Sequence, residues 1–260
     1  MKRVLTALIL FPLISYVVLW SPSGAVLVVT AAVALLCFYE YTGIAAAYQS
    51  APASWLASLP GYAAGLLILA LPSGGGALLT AVAAALVALS LALRADDLRA
   101  GVVRAAFLLL GILYIFGCWR FAPLLAARSR YWLYYALVLN WIGDIGAYYA
   151  GRAFGRHKLA PIVSPGKSWE GAAASLMVSL VFGVLFLHWA IQAVSLLYGL
   201  ALTIAANVAG QFGDLCESAI KRGAGVKDSS TLLPGHGGWL DRVDSTLFTL
   251  PVVYLFVQWI

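Results

Sequence analysis

The stretch VSLLYGLALTIAANVAGQFGDLCESAIKR, residues 194–222, decides how this chain folds. Its opening part, 194–215, is apolar and of the length that crosses a bilayer, for which about 20 residues suffice as a helix. Within it and just beyond, Asn207, Gln211, Asp214, Ser218 and Lys221 recur at spacings of four, three, four and three. Glu217 stands three residues after Asp214 and four before Lys221. Such spacings gather side chains on one helical face. A span that is greasy elsewhere must turn a polar stripe toward protein or water, because ionisable groups in lipid are costly. Hydrogen bonding between neighbouring spans would account for the same stripe.

The rest of the chain has the same character. Of its 260 residues 63% are hydrophobic and 10% charged, with a mean hydropathy of +0.94. Soluble domains carry about 25% charged residues, so this chain is not built to face water all round. Nine apolar segments follow one another at 4–20, 25–47, 56–71, 77–93, 102–119, 132–150, 170–191, 194–215 and 245–260. The third is short and holds Gly61 and Gly65. Pro and Gly punctuate the gaps, as in Ser21-Pro22-Ser23-Gly24, Leu71-Pro72-Ser73-Gly74-Gly75-Gly76 and Ser164-Pro165-Gly166. Only helices satisfy their own backbone within lipid, which makes these segments helices. The expected fold is all-α: a polytopic membrane protein of nine transmembrane helices, with a cytoplasm-facing polar cavity in its C-terminal half. It reads as one membrane domain, with N-terminal helices in 1–130 and the chemistry in 131–260. The opening Met1-Lys2-Arg3 and its apolar run resemble a signal peptide, but no A-x-A site follows, and a retained first span is expected.

Charge sets the orientation. With the N-terminus inside, thirteen of the sixteen Lys and Arg residues fall on the inner side, among them Lys2, Arg3 and Arg94. Only Arg120, Arg128 and Arg130 fall outside. The positive-inside rule then puts the charged C-terminal loop in the cytoplasm. The net charge of +6 reads as topology and anionic-lipid contact. No dense basic run with interleaved aromatics points to nucleic acid, which is not expected as a partner. Cys37, Cys118 and Cys216 lie far apart among apolar neighbours and read as free thiols.

Residues 213–244 hold five of the ten acidic residues and four of the basic ones. After Lys221-Arg222 come Lys227-Asp228, Ser229-Ser230-Thr231, Pro234-Gly235-His236-Gly237-Gly238 and Asp241-Arg242-Val243-Asp244. Glycines let backbone N–H groups approach phosphate oxygens, and Lys and Arg add full charge. Asp241 and Asp244, three apart, are the kind of hard oxygen ligand that Mg²⁺ takes beside phosphates. Upstream, Gly166-Lys167-Ser168 resembles the end of a P-loop, but Pro161 stands where that loop needs its first Gly. Lys167 with its hydroxyls at a helix start still suits phosphate, while Ser168 equally suits a plain N-cap. Asn140 and Asp144 are four apart in the sixth segment, beside a small-residue face of Gly143, Ala147 and Gly151. Glu40 is a lone acid in the second segment, with a buried paired role and a functional one both open. His157 and His188 have no metal-ligand company in the sequence.

At these residues the chain resembles the phosphatidate cytidylyltransferases, or CDP-diacylglycerol synthases. The likeness runs through Ser218, Lys221-Arg222, Lys227-Asp228, Pro234-Gly235-His236-Gly237-Gly238 and Asp241-Arg242-Val243-Asp244, and through Asp144-Ile145-Gly146-Ala147-Tyr148, Lys158-Leu159-Ala160-Pro161 and Trp169-Glu170-Gly171. It covers about the C-terminal half. Trp239 departs from the smaller aliphatic or Phe usual there, and Gly166 and Ser168 from Lys and Thr. The resemblance implies Mg²⁺-dependent transfer of CMP from CTP to phosphatidic acid, giving CDP-diacylglycerol and pyrophosphate in phospholipid biosynthesis. It implies Asp214, Asp241, Asp244 and Glu217 as metal ligands, with a second, monovalent or divalent cation as an option. Ser218, Lys221, Arg222, Lys227 and Asp241 would be catalytic. Asp144, Ser164, Lys167, Asp228, His236, Gly237, Gly238 and Arg242 would bind substrate. The partners implied are CTP, phosphatidic acid, membrane lipid and a second copy as homodimer, in a bacterial inner membrane with the site facing the cytoplasm. A CTP-dependent kinase of polyprenol or diacylglycerol, and a transporter, are the competing readings. A CDP-alcohol phosphotransferase is disfavoured, since D-x-x-D-G-x-x-A-R does not occur.

Overall fold

The structure, a computed structural model, describes residues 2–49, 55–71, 75–93, 95–192, 194–233, 235 and 237–260, with side chains from residue 11 onward except 55–57. Residues 72–74, Arg94, Pro234 and His236 lie outside the described residues, as do the side chains of Lys2 and Arg3. The described chain is nearly all helix: α1 (Lys2–Trp20), α2 (Ser23–Tyr48), α3 (Trp55–Ala70), α4 (Gly76–Ala92), α5 (Leu98–Gly111), a π-helical turn (Ile112–Gly117), α6 (Phe121–Arg128), α7 (Arg130–Phe154), α8 (Trp169–Ala190), α9 (Leu196–Gly223) and α10 (Leu240–Val257). Each apolar segment of the sequence falls on a helix. Two features were not expected. Phe121–Arg128 is helical, and a short antiparallel hairpin pairs β1 (Lys158–Ala160) with β2 (Ser164–Ser168). Pro161 and Pro165 deny that stretch a helix, since each lacks an N–H and clashes with the preceding turn.

Among the described residues, four helical stretches are long and apolar enough to cross a membrane: Ser23–Tyr48, Leu98–Arg128, Trp169–Ala190 and Leu196–Gly223. Only 33–39% of their apolar windows is buried within the protein. The remainder, such as Val28, Leu110, Val181 and Leu185, is exposed hydrocarbon that lipid covers and water would not tolerate. This is a membrane protein.

The chain forms two compact units. One takes in 22–124 and 220–242. Its interior joins α2, α3, the π-helical turn and α5 through aromatic rings seated on glycines. Phe116 and Phe38 are fully buried. The Phe116 ring lies where a Cβ at Gly65 would stand, Phe38 covers Gly61, and Tyr41 covers Gly111. Tyr41 also donates its hydroxyl to the Phe107 carbonyl at 3.0 Å. The π-helical turn widens the helix where these rings insert. At the end of α3, the Arg120 guanidinium donates to the Ile68 carbonyl and, at 2.8 Å, to that of Leu71. These are last-turn carbonyls with no intrahelical donor. An arginine on the sparsely basic side thus closes a helix end.

The other unit takes in 4–21, 125–219 and 243–260. Here α7 and α8 pack closely along the small-residue face read from the sequence. A Cβ at Gly171 would lie 3.0 Å from the Ala147 carbonyl, and one at Gly151 would lie 3.7 Å from the Gly171 Cα. Arg130 donates to the Val18 carbonyl of α1 at 3.0 Å, a second arginine closing a helix end. The three cysteines are free thiols.

Gly65→Ala should force the Phe116 ring off its seat and cost about 1–3 kcal/mol. Gly43→Ala, in the same unit and facing open space, should be neutral or stabilise by up to about 1 kcal/mol. Thermal midpoints of the two purified variants in detergent check the contrast.

Candidate active site

In the second unit a polar ladder crosses the apolar interior. Tyr135 and Thr203 share a 2.8 Å hydrogen bond. Asn207 Nδ2 donates to Ser179 Oγ at 2.9 Å and Ser175 Oγ at 3.0 Å, and its Oδ1 accepts from Gln211 Nε2 at 2.7 Å. Asn140 Oδ1 accepts from Thr249 Oγ1 at 2.9 Å, and its Nδ2 donates to the Ala136 carbonyl at 3.1 Å. Gly143 and Gly210 make room: a Cβ at either would strike these groups. Asn207, Gln211 and Asn140 therefore join spans to one another. The polar stripe of α9 divides, its upper rungs being interhelical glue and its lower rungs carboxylates.

Those carboxylates gather below the ladder. Asp214 Oδ2 pairs with Lys167 Nζ at 2.5 Å, and its Oδ1 accepts from Ser218 Oγ at 3.4 Å. Glu217 is almost fully buried, at 1% exposure. Asp244, which precedes the apolar run of α10, accepts from the Ser245 N–H at 2.7 Å. Burial, with the negative charges of Asp214, Glu217 and Asp144 facing it, pushes the Asp244 carboxyl well above the ordinary carboxylate range. Crowded oxygen donors of this kind suit a hard divalent cation, which would relieve their repulsion. Among the described residues, no three acidic, histidine or cysteine side chains already stand as a finished ligand set.

Lys167 reaches Asp214 because of the hairpin. Glu170, at the start of α8, accepts from the Arg156 and His157 N–H groups at 3.2 Å and meets His157 Nδ1 at 2.6 Å. Ser168 Oγ caps α8 by accepting from the Gly171 N–H at 3.2 Å. Ser168 is thus the N-cap, and His157 belongs to the hairpin's brace. Ser164, half-buried, sits opposite Ala160 in β2, and Asp144 is exposed on α7.

In the first unit the loop after α9 closes around Asp241. Its Oδ1 pairs with the buried Lys221 ammonium. Its Oδ2 accepts from the Gly238 N–H at 2.8 Å, from the Ser229 N–H at 3.0 Å and from Ser229 Oγ at 3.0 Å. Burial alone would raise this carboxyl. Lys221 and the two N–H donors outweigh it and hold Asp241 below the usual carboxylate range. Gly235 and Gly237 take φ of 79° and 76°, where L side chains are strained. A bridge from the Leu233 N–H to the Gly237 carbonyl, 2.9 Å, pinches the turn. Arg222, Lys227, Asp228 and Arg242 are exposed, and Arg222 Nη1 reaches the Val226 carbonyl at 3.3 Å. The same loop grips Glu40, the lone acid of α2, through Ser229 and Ser230. The sequence flagged Glu40 without a partner and gave no role to either serine.

The chain as a whole matches a known family. The cytidylyltransferase family model matches residues 1–260. The chain belongs to the cytidylyltransferase family. It is 36% identical to a phosphatidate cytidylyltransferase of Staphylococcus saprophyticus over 208 residues, covering 77% of this chain and 80% of that protein. It is 40% identical to that of Bacillus subtilis over 154 residues, 58% of this chain and 57% of the relative. Against that of Haemophilus influenzae it is 46% identical over 128 residues, 48% and 44% respectively. The match thus spans about half the length of the last two relatives. In this member of the family the recurring stretches read from the sequence fall on the carboxylate group of one unit and the braced loop of the other.

The depressed Asp241 predicts a pH dependence with a definite sign. Its pairing contributes stability above about pH 4, the ordinary Asp value. That contribution is lost as pH falls through the lower folded value. Thermal midpoints between pH 6 and 3 should fall more steeply for the wild type than for Asp241→Asn.

Proposed function

We propose that this protein transfers CMP from CTP to phosphatidic acid, releasing pyrophosphate and leaving CDP-diacylglycerol in the bilayer for phospholipid biosynthesis. The observation that carries the reading is the crowded carboxylate group of Asp144, Asp214, Glu217 and Asp244 with Lys167 on Asp214. It lies in a chain whose relatives are named phosphatidate cytidylyltransferases.

The chemistry requires little beyond charge management. A phosphate oxygen of phosphatidic acid, already anionic at neutral pH, attacks the α-phosphorus of CTP. The bond from that phosphorus to the bridging oxygen breaks, and pyrophosphate leaves with the electron pair. No strong general base is needed. The barrier is the approach of two polyanions, which preorganised positive charge lowers. In the second unit Asp214, Glu217 and Asp244 would hold Mg²⁺, with Ser218 positioning Asp214 and with Asp144, Ser164 and Lys167 toward substrate. When bound there, Mg²⁺ supplies neutralisation of phosphate charge. In the first unit Lys221, Arg222, Lys227 and Arg242 supply positive charge to phosphates. Asp228, His236, Gly237 and Gly238 would bind the nucleotide in this reading. In that same unit Asp241 would be a metal ligand and Lys221, paired with it here, a phosphate contact.

The same proposal includes nine spans, an inner-membrane location with the basic side in the cytoplasm, a polar cavity opening there, and a homodimer. The distribution of Lys and Arg supports the orientation. The bacterial sources of the relatives support the membrane assigned. Acyl chains would stay in lipid while the headgroup meets CTP at the cytoplasmic face.

Purified protein with labelled CTP, Mg²⁺ and phosphatidic acid should yield CDP-lipid and pyrophosphate. Phosphorylated lipid with CDP would instead mark a kinase, and no turnover would end the reading. Asp214→Asn and Lys167→Ala should each lower kcat about 100-fold or more while leaving the melting profile intact. Full activity in Asp214→Asn removes that residue from the metal site.

A further inference from the structure

Glu40 lies on α2, almost two hundred residues before the loop it touches, and is 2% exposed. A buried carboxylate is costly unless its oxygens are met by donors. Here four donors meet it. Oε1 accepts from Ser230 Oγ at 2.7 Å and from the Trp239 N–H at 2.9 Å. Oε2 accepts from Ser229 Oγ at 2.9 Å and from the Leu240 N–H at 2.7 Å. Leu240 opens α10, so two of these donors are N-terminal N–H groups of that helix, which have no partner within it. A carboxylate there also meets the positive end of the helix dipole. Between them stands Gly238, where a Cβ would strike Ser229 Oγ and both Glu40 oxygens. One side chain from a distant helix therefore ties both ends of the 229–240 loop, and a glycine is required to let it in.

We infer that Glu40 is a positioning residue of the cytidylyl-transfer site, fixing the loop that carries Gly237, Gly238 and Asp241 and the start of α10. The inference rests on the activity proposed above. Ser229 Oγ lies within reach of both Glu40 and Asp241, so the anchor and the Lys221–Asp241 pair share a hydroxyl. Displacing the carboxylate leaves that single proton to Asp241 and removes the tie between the loop and α2. The role is not reducible to net charge. In a glutamine, one oxygen becomes an amine that faces either the Trp239 or the Leu240 N–H, donor against donor.

The test uses full-length protein in detergent and compares Glu40→Gln, Gly238→Ala and Ser230→Ala with wild type. Amide exchange at 239–240 should speed up about tenfold or more in Glu40→Gln and Gly238→Ala, while α2 and α9 keep their protection. A fall in kcat of about tenfold or more should accompany it, since small misplacement of reacting groups is costly. Ser230→Ala, which removes one of four donors and keeps the chain folded if the larger changes do not, should show a smaller shift in the same direction. Unchanged exchange at 239–240 in folded Glu40→Gln overturns the anchor. Faster exchange with unchanged kcat overturns the positioning role. Absence of turnover in the wild type sinks the proposed activity instead, and exchange still decides the anchor.

Discussion

In the first unit, a carboxylate with almost no exposure is met by two hydroxyls and two backbone N–H groups, and the shape of the loop follows from that meeting. The constraint behind it is general in an apolar chain. A polar group withdrawn from water must find every partner inside the protein, or its burial costs several kcal/mol. Ser229 and Ser230 point inward because Glu40 needs donors. Gly238 carries no side chain because the same oxygens occupy its Cβ position. Asp241 is held below the ordinary carboxylate range because Lys221 and the loop's own N–H groups converge on it.

The second unit obeys the same constraint with different means. Tyr135 with Thr203, Asn207 with Ser179 and Gln211, and Asn140 with Thr249 satisfy one another across α7, α8, α9 and α10, and glycines at the crossing points let the spans come close enough. Small residues and interhelical hydrogen bonds are what holds helices together where lipid removes the hydrophobic drive. Below the ladder the polar groups are carboxylates, close enough for their charges to act on one another. Lys167 pairs with Asp214, and burial together with the charges of Asp214, Glu217 and Asp144 raises Asp244. A cluster of like-charged carboxylates is where a cationic ligand gains most. That contrast separates the residues that build the bundle from those proposed to act in it.

Arginines illustrate how position alters meaning. Arg120 and Arg130 fall on the poorly basic side in the charge count, yet each donates to last-turn carbonyls of a helix, α3 and α1 respectively. Their planar forks reach groups that lysine would address only as a point charge. A topology count treats all sixteen cations alike. The side chains do not act alike.

The helical bundle was legible in the sequence because lipid admits few solutions: apolar runs of span length must be helices. The family was legible because Ser218, Lys221-Arg222, Lys227-Asp228 and Asp241-Arg242-Val243-Asp244 keep a fixed order along the chain. The small-residue packing face of α7 was legible from spacing alone, though not that α8 would meet it; so was the choice of Ser168 as a plain cap or a phosphate contact, which its bond to the Gly171 N–H narrows to a cap. The hairpin at 158–168 was hidden, since two prolines announce only what the chain cannot form. Tertiary structure alone decided which rungs of the α9 stripe join helices and which face an excess of charge, because periodicity fixes a face and not what stands opposite it. It alone brought Glu40 to Trp239 and Leu240. No local rule links residues two hundred positions apart; only the need of a buried carboxylate for donors, met by the open end of another helix, selects that pairing.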